Sequence, residues 1–180
     1  MKKVFYSFAI TAMAVMMASC GGNTGNNSAE GGEEAAAEEA VQGQLVEMEA
    51  FTVVIPEGWE VNPNEQTQYL YVKVPKEDGS GVKGTMAFHA DPKEDVTAAE
   101  VCARDIKSSA TWDNPWEAKD DIQTGDITWS AILMAAHGAY GDCWNIKTDL
   151  PTKGILFVNC PDINPNDDAI KAILATVKFK

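Results

Sequence analysis

The chain has 180 residues, of which 27 are acidic and 14 basic, giving a net charge of −13 at neutral pH. That length suits one domain with short flanking segments. So acidic a surface is repelled by nucleic acid and by anionic membrane, which excludes both as charge-driven partners.

The chain opens on a targeting segment. Lys2 and Lys3 make a positive start, residues 4–18 are almost uncharged, and the small residues Ala18 and Ser19 precede Cys20. That order of parts is a secretory signal peptide, too short for a transmembrane span. With cysteine at the cleavage point, residues 1–19 resemble a bacterial lipoprotein signal, although Met17 stands where Leu, Val or Ile is usual. The resemblance implies lipidation of Cys20 and a mature chain of residues 20–180, attached to the membrane through its N-terminal lipid. A plain cleaved signal peptide and a short N-terminal anchor are the alternatives. Several acyl chains anchor a protein stably, whereas one binds only marginally. Without Lys2 and Lys3 the chain keeps 12 bases against 27 acids, a net −15. Gly21 and Gly22 follow the cysteine and no acid precedes Glu30. That resembles outer-membrane lipoproteins facing the periplasm.

Residues 20–44 read as a flexible acidic tether. Glu30, Glu33, Glu34, Glu38 and Glu39 stand among Gly, Asn and Ala, with no basic residue and almost no large apolar side chain from which to build a core. As a flexible coil its ends lie roughly 25–30 Å apart.

From 45 to 180 the texture is that of a folded domain. Phe51-Thr52-Val53-Val54-Ile55 is β-branched and ends in a turn at Pro56-Glu57-Gly58. Residues 67–74 alternate, with Leu70, Val72 and Val74 on one face and Tyr69, Tyr71 and Lys73 on the other. Residues 85–90 form a third strand, closed by Asp91-Pro92. Thr97-Ala98-Ala99-Glu100 is a capping box. It opens a helix to about Ser109 with Ala98, Val101, Cys102 and Ile106 inward. Residues 112–119 read as a loop, and 120–124 and 126–135 as strands hinged at Gly125. Residues 139–148 and 154–160 form a hairpin around Leu150-Pro151-Thr152-Lys153. A last helix begins at Asn166, and Ile170, Ile173, Leu174 and Val177 make its buried stripe. The order β-β-β-α-β-β-β-β-α argues for an α+β domain with a largely antiparallel β-sheet flanked by helices.

Phe51-Thr-Val-Val-Ile-Pro-Glu-Gly-Trp59 resembles the opening strand and turn of PsbP-like domains, and the stretch from Ala169 to Phe179 resembles their last helix and short terminal strand. This superfamily includes a Ran-binding protein and bacterial lipoproteins. The resemblance spans about residues 45–180 and implies an α/β/α sandwich used for binding. It carries no functional-residue motif across.

Cys143 and Cys160 are the best disulfide candidates, because export places them where disulfides persist. If the hairpin turn centres on Pro151 and Thr152, the two cysteines face each other across it. Closing that loop stabilises a fold by about 3 kcal/mol on the chain-entropy model. The alternative is two small buried residues left reduced. Cys102, on the inner stripe of a helix, reads as buried and unpaired rather than as a catalytic thiol. A pairing of Cys102 or Cys143 with His137 as nucleophile and base has nothing in the sequence to bring it together.

Gly79-Ser-Gly-Val-Lys-Gly84 matches a dinucleotide fingerprint by letter, but a strand follows it where a helix is required, so no nucleotide is expected. His89 and His137 have no metal-ligand spacing, and Asp162-Ile-Asn-Pro-Asn-Asp-Asp168 lacks the glycine and final glutamate of a calcium loop. No metal, cofactor or catalytic residue is therefore assigned. Trp112 and Trp116 flank Asp113-Asn114-Pro115 on a loop. They either fold back to cap the sheet or serve as contacts for a protein or a sugar. Trp59, Trp129 and Trp144 read as core.

Together these features point to a lipid-anchored binding or scaffolding protein of the cell envelope, without catalytic activity and with a protein partner at Trp112 and Trp116. The alternative is a small envelope enzyme, or a lipoprotein that binds a small ligand such as a sugar or a metal.

Overall fold

A computed structural model describes residues 41–64, 66–136 and 141–180. The signal segment, Cys20, most of the tether and His137 lie outside the described residues. The domain is α+β, with a three-stranded sheet, a seven-stranded sheet and two helices.

The small sheet has the order β1 (Gly43–Glu47), β2 (Phe51–Pro56), β10 (Lys178–Phe179). β1 is a strand the sequence reading did not separate, and it begins inside the stretch assigned to the tether. β2 alternates as expected, with Phe51, Val53 and Ile55 wholly buried. Its turn needs Gly58, whose φ is +85°, a value that favours glycine. β10 pairs only with Phe51 and Thr52, so the ladder would stop short of Val54. There the Thr176 hydroxyl accepts the Val54 N–H at 2.8 Å and itself donates to the Ile173 carbonyl at 2.7 Å. The end of α2 (Asp168–Ala175) is thereby tied to β2.

The large sheet is antiparallel throughout, in the order β3-β4-β5-β9-β8-β7-β6. Its strands are β3 (Glu60–Asn64), β4 (Tyr69–Pro75), β5 (Val82–Asp91), β6 (Glu117–Thr124), β7 (Ile127–Met134), β8 (Cys143–Asp149) and β9 (Ile155–Pro161). β3 holds Pro63, which is tolerated because the strand lies at the sheet edge. β6 starts within the stretch read as a loop, leaving the connection from α1 (Ala98–Ser109) shorter than expected.

The strands' alternation gives the sheet two different faces. Leu70, Val72, Met86, Phe88, Val158, Ile146 and Trp129 share the main core with β2 and with the α2 stripe Ile170, Ile173, Leu174. α1 packs on β6, β7 and β8 from the opposite side, where Ala98 and Val101 meet Ile155 and Phe157. Its capping box forms as expected: Glu100 N–H donates to the Thr97 hydroxyl and Thr97 N–H donates to the Glu100 carboxylate.

The expected disulfide does not match the observed register. β8 and β9 pair Trp144 with Cys160 and Cys143 with Pro161, one residue away from the pairing that would have joined the cysteines. The loop spans 150–154 rather than four residues. Gly154 adds the fifth position, with φ +100° and with Asp91 and Pro92 so close that no side chain fits. A shift of one residue sends the two side chains to opposite faces. Cys160 lies in the main core, Cys143 lies on the α1 side, and both are free thiols.

Candidate functional site

The face that α1 packs on is only partly covered. Helix α1 lies over β6, β7 and β8 and leaves β3, β4 and β5 with side chains that reach solvent. Two cross-strand rows run over this open part. One is Asn62, Tyr71, Ala87, Asn159 and Asn145; the other is Asn64, Tyr69, His89, Phe157 and Lys147.

The second row is a run of rings. Tyr69 and His89 stack at 4.1 Å between centroids, Tyr69 and Tyr71 at 5.6 Å, and His89 and Phe157 at 6.1 Å. Such offset stacks hold planar side chains in fixed orientations. His89 Nδ1 is buried and meets no hydrogen-bonding group among the described residues. The run ends under α1 at Lys147, which is 1% exposed. Its ammonium pairs with Asp105 at 3.1 Å, donates to Asn145 Oδ1 at 2.6 Å and lies 5.7 Å from the centre of the Phe157 ring. Lys147 is therefore satisfied from three sides. It anchors α1 to the sheet and offers no free cation.

The first row carries three amides, Asn62, Asn159 and Asn145. Ala87 is the smallest side chain in it, flanked by Tyr71, which is 45% exposed, and by the exposed Asn159. Asn145 Nδ2 donates to Asn159 Oδ1 at 3.3 Å and the Cys143 thiol reaches the same oxygen at 3.5 Å. The Asn159 amide is thus held through its oxygen by two donors on the neighbouring strand. Neither row contains a carboxylate. Glu60 sits one position beyond the first row and is paired with Lys73 at 2.8 Å. Beyond the second row Asp91 and Asp149 flank Ile155, so on a chain of net charge −13 the two rows form a neutral strip bordered by carboxylates.

The second candidate is the loop after α1. Trp112 is 52% exposed, whereas Trp116 is half-buried. The loop is pinned by buried Ser109, whose carbonyl accepts the Trp112 N–H at 2.8 Å and whose hydroxyl accepts the Trp116 N–H at 2.9 Å. Asn114 adds a hydrogen bond to the Ala136 carbonyl at 3.2 Å.

The thiols sit in surroundings that oppose ionisation. Burial raises the Cys143 pKa from 9.0 to about 11, with Asp162 adding to the effect. Burial also raises Cys160 and Cys102, the latter against the charge of Lys147. A thiol is a good nucleophile only as thiolate, so these sites disfavour nucleophilic chemistry.

Gly79 and Gly81 lie in the β4–β5 hairpin connection, where Lys76 N–H donates to the Gly81 carbonyl at 2.9 Å. No helix follows them. Asp162 accepts the Gly141 N–H at 2.7 Å. Among the described residues, no three acidic, histidine or cysteine side chains stand close enough to hold a metal ion. An open depression of about 190 Å³ lies between Glu49, Gln68, Pro92, Pro151 and Lys180. It is smaller than a typical ligand pocket of roughly 300–1,000 Å³. Among the described residues no helix is long and apolar enough to cross a membrane.

The sequence placed Tyr69, Tyr71 and Lys73 on one strand face but left the open patch unnoticed. Its signal is the matching alternation of Thr85, Ala87 and His89 in β5 and of Asn145 and Lys147 in β8. That signal becomes readable only once strand order is known.

No family model matches the chain, and no curated protein matches it. A solved structure from Bacteroides thetaiotaomicron is similar at 12% identity with a TM-score of 0.43, over 72% of this chain and 45% of that one. The chain thus spans less than half the length of that protein.

Proposed function

We propose that the chain is a lipid-anchored binding protein of the cell envelope, attached through Cys20 to the outer membrane on its periplasmic side. Its PsbP-like domain contacts a protein partner and performs no chemistry of its own. The observation that carries the reading is Trp112, half exposed on a loop whose backbone is fixed by Ser109 and Asn114. A large aromatic side chain presented at little entropic cost is the usual anchor of a protein interface. The order of signal segment, acidic tether and compact domain supports the anchoring.

A photo-crosslinking residue placed at Asp113 in intact cells tests the contact. One discrete protein adduct is expected, with yield falling roughly tenfold or more on Trp112→Ala. Adduct formation that ignores Trp112→Ala removes the loop from the interface. Mass spectrometry of the mature N-terminus tests the anchor, and an unmodified Cys20 overturns it.

A further inference from the structure

The neutral patch over β3, β4, β5 and β9 has a chemistry different from that of the Trp112 loop. We infer that it binds a neutral polysaccharide chain, a second binding activity that does not depend on the proposed protein contact.

Three observations favour that ligand class. The first is charge. Two adjacent cross-strand rows carry no carboxylate on a chain of net −13, and their one cation, Lys147, is buried and ion-paired. A polyanion meets no free positive charge here and is repelled by the rest of the surface. A polycation meets carboxylates only at the borders of the strip, at Asp91 and Asp149 on one side and at the ion-paired Glu60 on the other. An uncharged ligand is the one that matches.

The second is hydrogen bonding. Asn62 and Asn159 present amides, and Tyr69 and Tyr71 present hydroxyls, groups that combine donor and acceptor capacity. Sugar hydroxyls have the same dual character. Asn159 is oriented by Asn145, so its outward amide is set before a ligand arrives.

The third is shape. The patch is open, and beside the small Ala87 the exposed Tyr71 ring provides apolar surface for the C–H face of a sugar. An open strip crossing several strands suits a polymer that lies across it better than a small molecule needing enclosure. Of the exposed large apolar side chains among the described residues only Tyr71 lies on the patch, too little for the apolar centre of a protein interface there.

The test uses the full chain, purified from envelopes in a polyoxyethylene detergent, in native gels cast with a neutral glucan, xylan, galactan or mannan. Polygalacturonate serves as the anionic comparison. Retardation by at least one neutral polymer is expected, undiminished by added salt. Tyr71→Ala and Asn159→Ala are each expected to weaken it roughly tenfold. Tyr71→Phe, which keeps the ring, is expected to lose less, and Trp112→Ala nothing. Circular dichroism confirms that the variants remain folded. Retardation by no neutral polymer, by polygalacturonate alone, or equally in the parent and the folded Tyr71→Ala variant overturns the inference. So does a photo-crosslinker at Asn62 that captures a polypeptide in place of a glycan.

Discussion

His89 stacks on Tyr69 with ring centroids 4.1 Å apart and planes 11° from parallel, because register pairs the two residues across β4 and β5. The arrangement leaves His89 Nδ1 buried without a hydrogen-bonding partner among the described residues. Such an atom costs roughly 1–3 kcal/mol. His89→Phe keeps a flat ring in the stack and removes the polar atom. It is predicted to raise stability by about 1 kcal/mol, read as a higher urea midpoint at unchanged slope. His89→Ala is predicted to lower it by a similar or larger amount, because the ring contacts go too. A His89→Phe variant less stable than the parent would contradict this account.

That stack also shows where sequence reading works and where it stops. Alternation alone separates Leu70, Val72 and Val74 from Tyr69 and Tyr71, since strand period is fixed. Both helices are likewise legible, α1 through Thr97 and Glu100, α2 through Ile170, Ile173 and Leu174. What periodicity cannot supply is strand order. The neighbours of β4 are β3, which contains Pro63 and does not look like a strand, and β5 across a glycine-rich turn. The openness of the face depends on where α1 lands, and no local signal encodes that. The cysteine register failed for a local reason, the extra loop position at Gly154. Trp112 is exposed and Trp116 half-buried, a difference that the run Trp112-Asp-Asn-Pro-Trp116 does not encode.

The opposite orientations of Cys143 and Cys160 lead to a thiol prediction. Denatured without reductant, the domain is expected to give three alkylated cysteines, at Cys102, Cys143 and Cys160; two fewer would show that a bridge had formed. In the native state at about pH 8, alkylation is expected to be slow at all three, because burial keeps them protonated. The linkage sign follows from the raised value. A thiol at 9.0 when unfolded and about 11 when folded at Cys143 leaves stability intact below pH 9 and erodes it as pH climbs towards 11. Unfolding midpoints measured across that window should fall in the parent and fall less in Cys143→Ala. Equal slopes in the two proteins would contradict the assignment.

Lys147 is the one buried cation of the domain's described residues, and its pairing with Asp105 joins α1 to β8. Removing one member of a buried pair strands the other charge, at a cost of roughly 3–5 kcal/mol in enclosed sites. Without Asp105 the stranded charge is Lys147, which is 1% exposed but keeps its hydrogen bond to Asn145, and that bond recovers part of the cost. Asp105→Ala is predicted to destabilise by about 2–3 kcal/mol. Lys147→Met fills the same space without a charge and leaves Asp105 free to face solvent. It is predicted to cost less than Asp105→Ala, and the double variant should recover most of the single loss. Chemical denaturation of the four proteins gives the coupling energy directly. Strict additivity would mean that the pair does not hold the helix to the sheet. It would also imply that the edge of the open ring row is set by Asn145 and Phe157 rather than by the ammonium beneath it.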